Sequence, residues 1–404
     1  MVITIIGAGA SGMMAALTAA NAGAHKILLF ERQQRPGRKL MATGNGRCNL
    51  TNTGASPQNY HGSQPGFSDA ILSRFTPQDT LDFFHALGLL TVEEAGGRVY
   101  PLSNSANSVL DVLRFALEER GVELCASSPV REIRRRGRGY VLLTDEGESF
   151  SDRVIAACGG AAGAKLGGVT DGYELLKSLG HSRTKLYPAL VQLTAEPEYP
   201  RALKGVRADA KIQLRRGDTL LAESCGELQF TERGVSGPAI FDLSRAASVS
   251  GAGAVLSIDL LREYDAAQVL SLLKARRRNL PELECAQLLT GLLHNRLGRM
   301  LIKYARLPAE LPIGKLSDAQ LRTLAESLKS FVLKLTGTEG FDNAQVTVGG
   351  IKTEEFDPCT LESRLNPGLY ACGELLDVDA DCGGYNLQWA WASGHMAGLS
   401  AAKK

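Results

Sequence analysis

The sequence contains no run of about 20 consecutive apolar residues, the length that a helix needs to cross a bilayer. It also lacks the basic and apolar segments of a secretory signal, because its first residues read directly as a β-strand. Eight cysteines occur, but no two have the Cys-x-x-Cys spacing of a zinc ribbon or a redox-active disulfide. We therefore expect free thiols, no metal, no membrane partner and a cytoplasmic location.

The net charge is small as well, with 45 Lys and Arg against 43 Asp and Glu. A balance this even neither requires nor excludes a nucleic-acid partner. Hydrophobic residues make up 44% and charged residues 22%, which is ordinary for a globular protein. A length of 404 residues suits two or three domains. Composition alone therefore leaves the function open.

A complete nucleotide-binding pattern lies near the start of the chain. The apolar run 2–6 leads into Gly7-Ala8-Gly9-Ala10-Ser11-Gly12, and an Ala-rich helical run follows over 13–22. In this Gly-x-Gly-x-x-Gly fingerprint, Gly7 permits a tight turn, Gly9 lets the backbone approach a pyrophosphate, and Gly12 lets helix and strand pack closely. The free N–H groups of the first helical turn then face the phosphates.

A second apolar run, 26–30, ends at Glu31, where the fingerprint places an acid on the ribose hydroxyls. A carboxylate there would repel a 2′-phosphate, so we expect FAD or NAD rather than NADP. The fingerprint does not choose between FAD and NAD. The structural alternatives are a Gly-rich turn without a ligand and a solvated acid at a strand end. The order of all the elements favours the binding site.

The loop after Glu31 resembles a known family. Gly37-Arg38-Lys39, followed by Gly46-Arg47-Cys48-Asn49-Leu50-Thr51-Asn52, is similar to the signature of the HI0933-like flavoproteins. This family belongs to the two-dinucleotide-binding-domain superfamily. The resemblance covers essentially the whole chain and is strongest over 1–52 and 342–398. It implies that the bound nucleotide is FAD.

The resemblance also assigns roles near the C-terminus. Glu374 follows a strand, and in the superfamily an acid at this place binds a flavin ribityl hydroxyl, with Asp377 nearby. Gly384, Asn386 and Leu387 open a final helix whose N-terminus would face the flavin pyrimidine and favour negative charge there. The alternative for the two acids is a charged loop.

Further upstream, the resemblance places the backbone of Val130 at the adenine. Ala157-Cys158-Gly159-Gly160 resembles a flavin turn in which the family has threonine at the second position. Together, fingerprint and resemblance predict FAD-binding roles for Gly7, Gly9, Ala10, Ser11, Gly12, Glu31, Arg32, Arg38, Lys39, Gly46, Asn49, Val130, Gly159, Gly373, Glu374, Asp377, Gly384, Asn386 and Leu387.

We predict an α/β fold with a discontinuous, Rossmann-like FAD-binding domain of the glutathione-reductase-like type, residues 1–187 and 342–404. It includes a three-stranded meander over 129–135, 140–144 and 150–157. Short alternating runs indicate a β-rich insert over 188–264. Apolar residues at i, i+3, i+4 and i+7, including those from Leu288 to Tyr304, indicate that residues 265–336 are helical and form a small helical domain over 265–341. Thr76 and Ser317 are expected to cap the starts of two helices. The substrate should lie where the insert covers the flavin ring.

The resemblance implies an oxidoreductase in which FAD carries hydride. Reactions attributed to the family include reduction of conjugated C=C bonds in steroid-like acids, reduction of uridine in ribosomal RNA, and oxidation of a small aminoketone. The first two share hydride addition to an enone-like system, and this step is our preferred function. Arg47, Cys48 and Tyr385 are candidates for the carbonyl hydrogen bond and the proton donor.

The sequence contains no second complete strand–Gly-x-Gly-x-x-Gly–helix unit, so NAD(P)H should dock only transiently. Alternative functions are a flavin oxidase of a small amine or aminoketone, and an electron-transfer protein without its own organic substrate. A further alternative is an RNA-binding modification factor that uses the insert and the triplets Arg134-Arg135-Arg136 and Arg276-Arg277-Arg278. Solvated surface is the simpler reading of these triplets. The substrate is therefore a small molecule or an RNA, and the oligomeric state stays open.

Overall fold

The computed structural model describes residues 1–24, 26–251 and 253–403. Contacts divide the chain into two compact units. The first comprises Met1–Tyr187 with Phe341–Lys404, and the second comprises Pro188–Gly340.

The elements fall into three stretches of chain. Over the first stretch the strands are β1 (Val2–Ile6), β2 (Lys26–Phe30), β3 (Thr51–Asn52), β4 (Tyr60–His61), β5 (Thr91–Glu94), β6 (Arg98–Pro101), β7 (Glu123–Cys125), β8 (Val130–Arg136), β9 (Gly139–Thr144), β10 (Gly147–Ser151), β11 (Arg153–Ala156) and β12 (Tyr187–Ala189). Its helices are α1 (Ala10–Asn21), α2 (Arg38–Ala42), α3 (Phe67–Leu72), α4 (Pro77–Ala86), α5 (Ala106–Glu119) and α6 (Asp171–Ser178).

The second unit contains the strands β13 (Leu193–Ala195), β14 (Arg207–Arg216), β15 (Thr219–Phe230), β16 (Gly234–Ser236), β17 (Val255–Asp259) and β18 (Phe331–Thr338). Its helices are α7 (Glu198–Ala202), α8 (Pro238–Ser250), α9 (Ala266–Asn279), α10 (Asn295–Tyr304) and α11 (Asp318–Lys329). The C-terminal stretch adds β19 (Val346–Val348), β20 (Leu369–Ala371), β21 (Asp379–Ala380) and α12 (Tyr385–Ala402).

The first unit is built on a parallel sheet in the order β20-β11-β1-β2-β7. β1 lies in the middle, and its Ile3 and Ile5 are fully buried. Such a central apolar strand followed by a glycine turn and a buried helix is the Rossmann arrangement. The predicted α/β, Rossmann-like fold is therefore confirmed.

Helices α1 and α12 approach each other closely within this unit. A Cβ added at Gly394 would overlap the carbonyl oxygen of Ser11, and one added at Gly398 would overlap that of Ala15. Glycine at these two places lets the backbones touch. The contact packs the nucleotide-fingerprint helix directly against the C-terminal helix.

The predicted meander needs a correction. β8, β9 and β10 do form an antiparallel sheet, but residues 150–157 are not its third strand. The chain turns at Asp152, whose carboxylate accepts the N–H of Val2 at 2.6 Å, and then enters β11. β11 pairs in parallel with β1, so one apolar run belongs to two sheets.

The second unit is a closed antiparallel barrel in the order β13-β16-β15-β14-β17-β18, with helices packed around it. The expectation that residues 265–336 are wholly helical is wrong, because β18 closes the barrel. In β18, Phe331 and Leu333 are buried and pair with β17, a period-two pattern hidden beside the helix α11. The unpredicted helix α8 also lies in the part expected to be β-rich.

A second helical expectation fails between Leu288 and Tyr304. The chain turns at Gly291, which has φ +82°, and α10 begins only at Asn295. The apolar residues of this stretch instead lie on separate segments that all pack into the core of the second unit. Two predicted helix starts are confirmed by their caps. The hydroxyl of Thr76 accepts the N–H of Asp79, and that of Ser317 accepts the N–H of Gln320.

Candidate functional site

The glycine loop between β1 and α1 has two packed glycines and one open glycine. Gly7 has φ +104°, and a Cβ there would lie 2.5 Å from the carbonyl oxygen of Ala157. A Cβ at Gly12 would overlap the carbonyl oxygen of Gly7. At Gly9, in contrast, an added Cβ would meet no atom within 4 Å. Packing therefore explains Gly7 and Gly12, whereas Gly9 borders open space.

Helix α1 presents its N-terminus to this open space. Its N-cap is Gly9, which has no side chain to satisfy the first N–H groups, and its first turn contains no acid. Ala10 and Ser11 thus offer unsatisfied N–H groups and the positive end of the helix dipole, which suit a phosphate. Gly373 packs against the start of α1, since a Cβ there would lie 2.5 Å from the hydroxyl of Ser11.

Glu31 lies across the same loop at the end of β2. Its carboxylate accepts the N–H of Ala8 at 2.9 Å and the N–H of Gln33 at 2.8 Å. The carboxylate is therefore held in place beside the glycine turn while its residue stays partly exposed. This position is compatible with the predicted ribose contact.

Arg32, Arg38 and Lys39 follow, but their contacts differ. Arg32 donates to the carbonyl of Gly167 at 3.1 Å, and Arg38 donates to that of Lys165 at 3.0 Å. Both arginines are exposed and retain further N–H groups. Lys39 instead pairs with Glu374, with 2.6 Å between Nζ and Oε2.

The pair of Glu374 and Lys39 joins the C-terminal segment to the fingerprint region. Glu374 also accepts the N–H of Thr347 at 2.7 Å. A Cβ at Gly160 would lie 2.5 Å from the hydroxyl of Thr347 and 2.8 Å from the Glu374 carboxylate. Neighbouring Gly159 has φ +72° and faces open space. The structure thus brings together residues that the sequence assigned separately.

The loop Thr43–Asn49 has a strained backbone. Gly44, Asn45, Gly46 and Cys48 all have positive φ angles, between +56° and +85°. For Asn45 and Cys48 this conformation is costly, and such strain clusters at functional sites. The side-chain oxygen of Asn49 is buried without a hydrogen-bond partner in the described part of the chain. An acceptor of this kind is available to a donor from a bound group.

Of the candidate catalytic residues, Cys48 is fully buried, and burial raises the pKa of its thiol to about 12. Arg47 is only partly exposed. Its guanidinium pairs with Glu94, donates to Asn104 and lies 4.0 Å from the centre of the Tyr100 ring. Cys48 therefore has neither the access nor the acidity of a proton donor, whereas Arg47 is firmly oriented.

Tyr385 begins α12, directly after Gly383 and Gly384, whose φ angles are +139° and +102°. Its ring meets that of Tyr60 edge to face, with 6.4 Å between centroids. The hydroxyl of Tyr60 is buried without a partner among the described residues. A Cβ at Gly384 would lie 2.5 Å from the carbonyl oxygen of Thr51, so β3 supports this helix start.

The remaining predicted residues have structural contacts of their own. Asn386 exchanges two hydrogen bonds with the backbone of Ala380, at 2.9 and 2.8 Å, so its side chain holds the preceding loop. Asp377 is buried and accepts the N–H of Ser63 at 3.2 Å. Val130 is buried at the start of β8, and Leu387 lies half-buried in the first turn of α12.

One nearby pair was missed by the sequence reading. His61 in β4 and Asp381 after β21 form a hydrogen-bond contact of 2.8 Å between Nε2 and Oδ1. Asn59 also donates to Asp381, at 3.2 Å. Nothing in the local sequence marks His61, because its partner lies 320 residues away in the chain.

The eight cysteines are free thiols in the structure. Within the described residues, His, Cys, Asp and Glu side chains do not gather into a metal-binding group. No helix in that same part of the chain has both the length and the apolar character needed to cross a membrane.

These features fit a dinucleotide. Gly9 leaves a cradle at a helix N-terminus, Glu31 is fixed beside it, and Asn49 holds an unused acceptor.

Comparison with known proteins decides the family. The model of the HI0933-like protein Rossmann domain matches residues 1–400. This chain belongs to the HI0933-like family. It is an FAD-dependent oxidoreductase, as the sequence predicted.

Two relatives align with the HI0933-like chain over nearly its entire length. The 3-dehydro-bile acid delta(4,6)-reductase of Clostridium scindens is 41% identical and covers 100% of this chain and 99% of its own. The ribosomal RNA dihydrouridine synthase of Escherichia coli is 32% identical and covers 96% of this chain and 95% of its own. Among solved structures, a 3-ketosteroid delta1-dehydrogenase from Sterolibacterium denitrificans shares the fold, with a TM-score of 0.53, 13% identity and 99% coverage of both chains.

Proposed function

We propose that this protein uses NAD(P)H to reduce a conjugated, enone-like C=C bond through its FAD. The observation that carries the proposal is the pair of relatives at 41% and 32% identity. Their names describe a reductase of a dehydro-bile acid and a synthase of dihydrouridine. A 4,6-unsaturated 3-ketone and a uracil ring both present a C=C bond conjugated with a carbonyl. One chemical step therefore serves both.

Bound FAD supplies hydride transfer between donor and acceptor. The cradle at Gly9 would hold the pyrophosphate, with the N–H groups of Ala10 and Ser11 as donors. Glu31 would hold the ribose, and Glu374, paired with Lys39, would bind the ribityl chain. We extend the FAD-binding assignment to the remaining residues that fingerprint and resemblance predict.

The chain must also position the carbonyl and deliver a proton. We assign carbonyl orientation to Arg47, because its guanidinium is fixed by Glu94, Asn104 and the Tyr100 ring and retains hydrogen-bonding capacity. Tyr385 at the start of α12 is our proton donor. Cys48 is removed from this role, since its thiol is inaccessible and its pKa is raised by burial.

A simple experiment tests the reaction. The holoprotein is incubated without oxygen with NADH or NADPH and either a steroid 4-en-3-one or ribosomal RNA lacking dihydrouridine. We expect one acceptor to gain two hydrogens, measured by mass spectrometry, with matching loss of the nicotinamide absorbance. If neither acceptor changes while a small amine or aminoketone, added to the oxidised protein without NAD(P)H, reduces the flavin and is itself oxidised, the protein is an oxidase and the proposal is wrong.

A further inference from the structure

The surface of α10 is unusually rich in positive charge. Residues 285–309 contain no Asp or Glu, yet they include Arg296, Arg299, Lys303 and Arg306. All four residues are exposed. We call these four side chains the α10 cationic face. It lies entirely in the unit Pro188–Gly340, which contains none of the residues that fingerprint and resemblance select.

Three of the four side chains share one side of the helix because of their spacing, and Arg306 follows just after the helix end. Arg296, Arg299 and Lys303 stand at i, i+3 and i+7, which places them on one helical face over about 10 Å. Leu297 and Leu301 on the opposite face are fully buried. Packing therefore fixes α10 so that its cations point to solvent.

The α10 cationic face lacks carboxylate partners among the described residues. Nine other cations of the unit do lie within 4.0 Å of an acid; they are Lys204, Arg207, Lys211, Arg233, Arg262, Lys274, Arg277, Lys329 and Lys334. In the described residues, Arg299, Lys303 and Arg306 form no ion pair. Arg296 donates only to backbone carbonyls, which leaves its charge unbalanced.

Arg306 adds an independent sign of use. It follows the C-cap Ala305 with φ +55°, the left-handed conformation that glycine adopts most easily after a helix. A glycine there would relieve the backbone, so an arginine at this place costs stability. Such a cost is consistent with a side chain that serves a purpose other than folding.

We propose that the α10 cationic face binds the phosphate backbone of RNA. Unpaired, closely spaced cations bind polyphosphates by releasing counterions. A membrane-binding helix would need large apolar residues beside its cations, and none of the exposed large hydrophobic residues of the described chain falls within 285–309. The choice of RNA over DNA rests on the proposed function, because the uracil ring is one of its enone-like acceptors.

The two basic triplets are weaker candidates for the same role. Arg134 pairs with Glu132, and Arg277 pairs with Asp318. Their charges are thus partly balanced within the protein. The cations of the α10 cationic face do not form a basic run in the sequence, because they are spread along a helix rather than adjacent.

Fluorescence anisotropy with a labelled single-stranded RNA of about 20 nucleotides tests the surface on the holoprotein. The double variant Arg299→Gln/Lys303→Gln should bind RNA more weakly at low salt. Its plot of log K against log salt should be shallower by about 1.4, at roughly 0.7 per lost phosphate contact. The matched control Arg207→Gln/Lys211→Gln removes two paired cations of the same unit. It should keep the wild-type slope.

Arg306→Gly separates binding from folding. We expect a melting temperature higher by about 2 °C, because strain is relieved, together with weaker RNA binding. Absence of RNA binding by the wild type at low salt would overturn the proposal, as would equal slopes for the two double variants. Tighter binding of a DNA of the same sequence, or of anionic vesicles, would overturn it too. Binding is measured without turnover, so failure of the reductase proposal gives a separate result.

Discussion

Substitution of Gly9 separates cofactor binding from folding. Gly9 has φ −84° and ψ −169°, angles that alanine adopts readily, and an added Cβ would touch nothing within 4 Å. As an N-cap, alanine costs up to about 1 kcal/mol relative to glycine. Alanine also restricts the unfolded chain more than glycine does, and this raises the free energy of unfolding by about 0.4–1 kcal/mol. The apoprotein of Gly9→Ala should therefore unfold with nearly the wild-type free energy.

FAD binding should change much more. A methyl group in the cradle keeps the pyrophosphate from the N–H groups of α1, and one lost charge-assisted hydrogen bond costs about 1.5–3 kcal/mol. For the wild type, FAD at 100 times its Kd raises the free energy of unfolding by about 2.7 kcal/mol. If Gly9→Ala weakens binding about 100-fold, the same FAD concentration adds only about 0.4 kcal/mol.

The assay is urea unfolding of apoprotein with and without FAD, together with flavin content after purification. Gly9→Val should remove FAD fully while the chain remains at least partly folded. Gly12→Ala is the matched control, because its Cβ would overlap the carbonyl oxygen of Gly7 and destabilise the apoprotein itself. Wild-type FAD affinity in both Gly9 variants would refute the assignment of the cradle.

Three further predictions concern other groups. Glu31→Ala should weaken FAD binding by about 1–3 kcal/mol, the scale of a lost charge-assisted hydrogen bond, and unchanged affinity in a fluorescence titration would contradict the ribose role. Thiol counting under denaturing conditions should find all eight cysteines before and after reduction by the electron donor, because all are free; a gain of two would reveal a dithiol relay. Burial lowers the pKa of His181, and the nearby Glu355 opposes this shift. The stability that neutral, buried His181 contributes is therefore present above pH about 6.5 and is lost as the pH falls below that value. Urea unfolding from pH 7 to 5 should show a smaller loss for His181→Gln than for the wild type, and identical losses would exclude this role.

Local patterns were sufficient for part of the fold. The turn at Gly7 and Gly12, the flanking strands and the caps at Thr76 and Ser317 depend on residues close in sequence, and the structure agrees with them. Tertiary pairing decided the rest. β18 is a strand because β17 and β13 are available to pair with it, which the neighbouring helical periodicity concealed.

The candidate site was likewise predictable from the sequence only in part. The sequence identified the glycine cradle, but Lys39 and Glu374 are 335 residues apart, and only the fold brings them to 2.6 Å. Burial of Cys48 was equally invisible, because its strained loop is polar in composition. The dyad of His61 and Asp381 depends on the pairing of two very short strands.

The most direct measurement is a single turnover with the two half-reactions separated. The protein is reduced without oxygen by one equivalent of NADH or NADPH, and the oxidised nucleotide is removed. It is then mixed with a steroid 4-en-3-one or with ribosomal RNA lacking dihydrouridine. We predict recovery of the oxidised flavin spectrum with one C=C bond lost per FAD, and FAD as the cofactor released by acid. A flavin that stays reduced with every such acceptor, or a released cofactor other than FAD, would contradict the account.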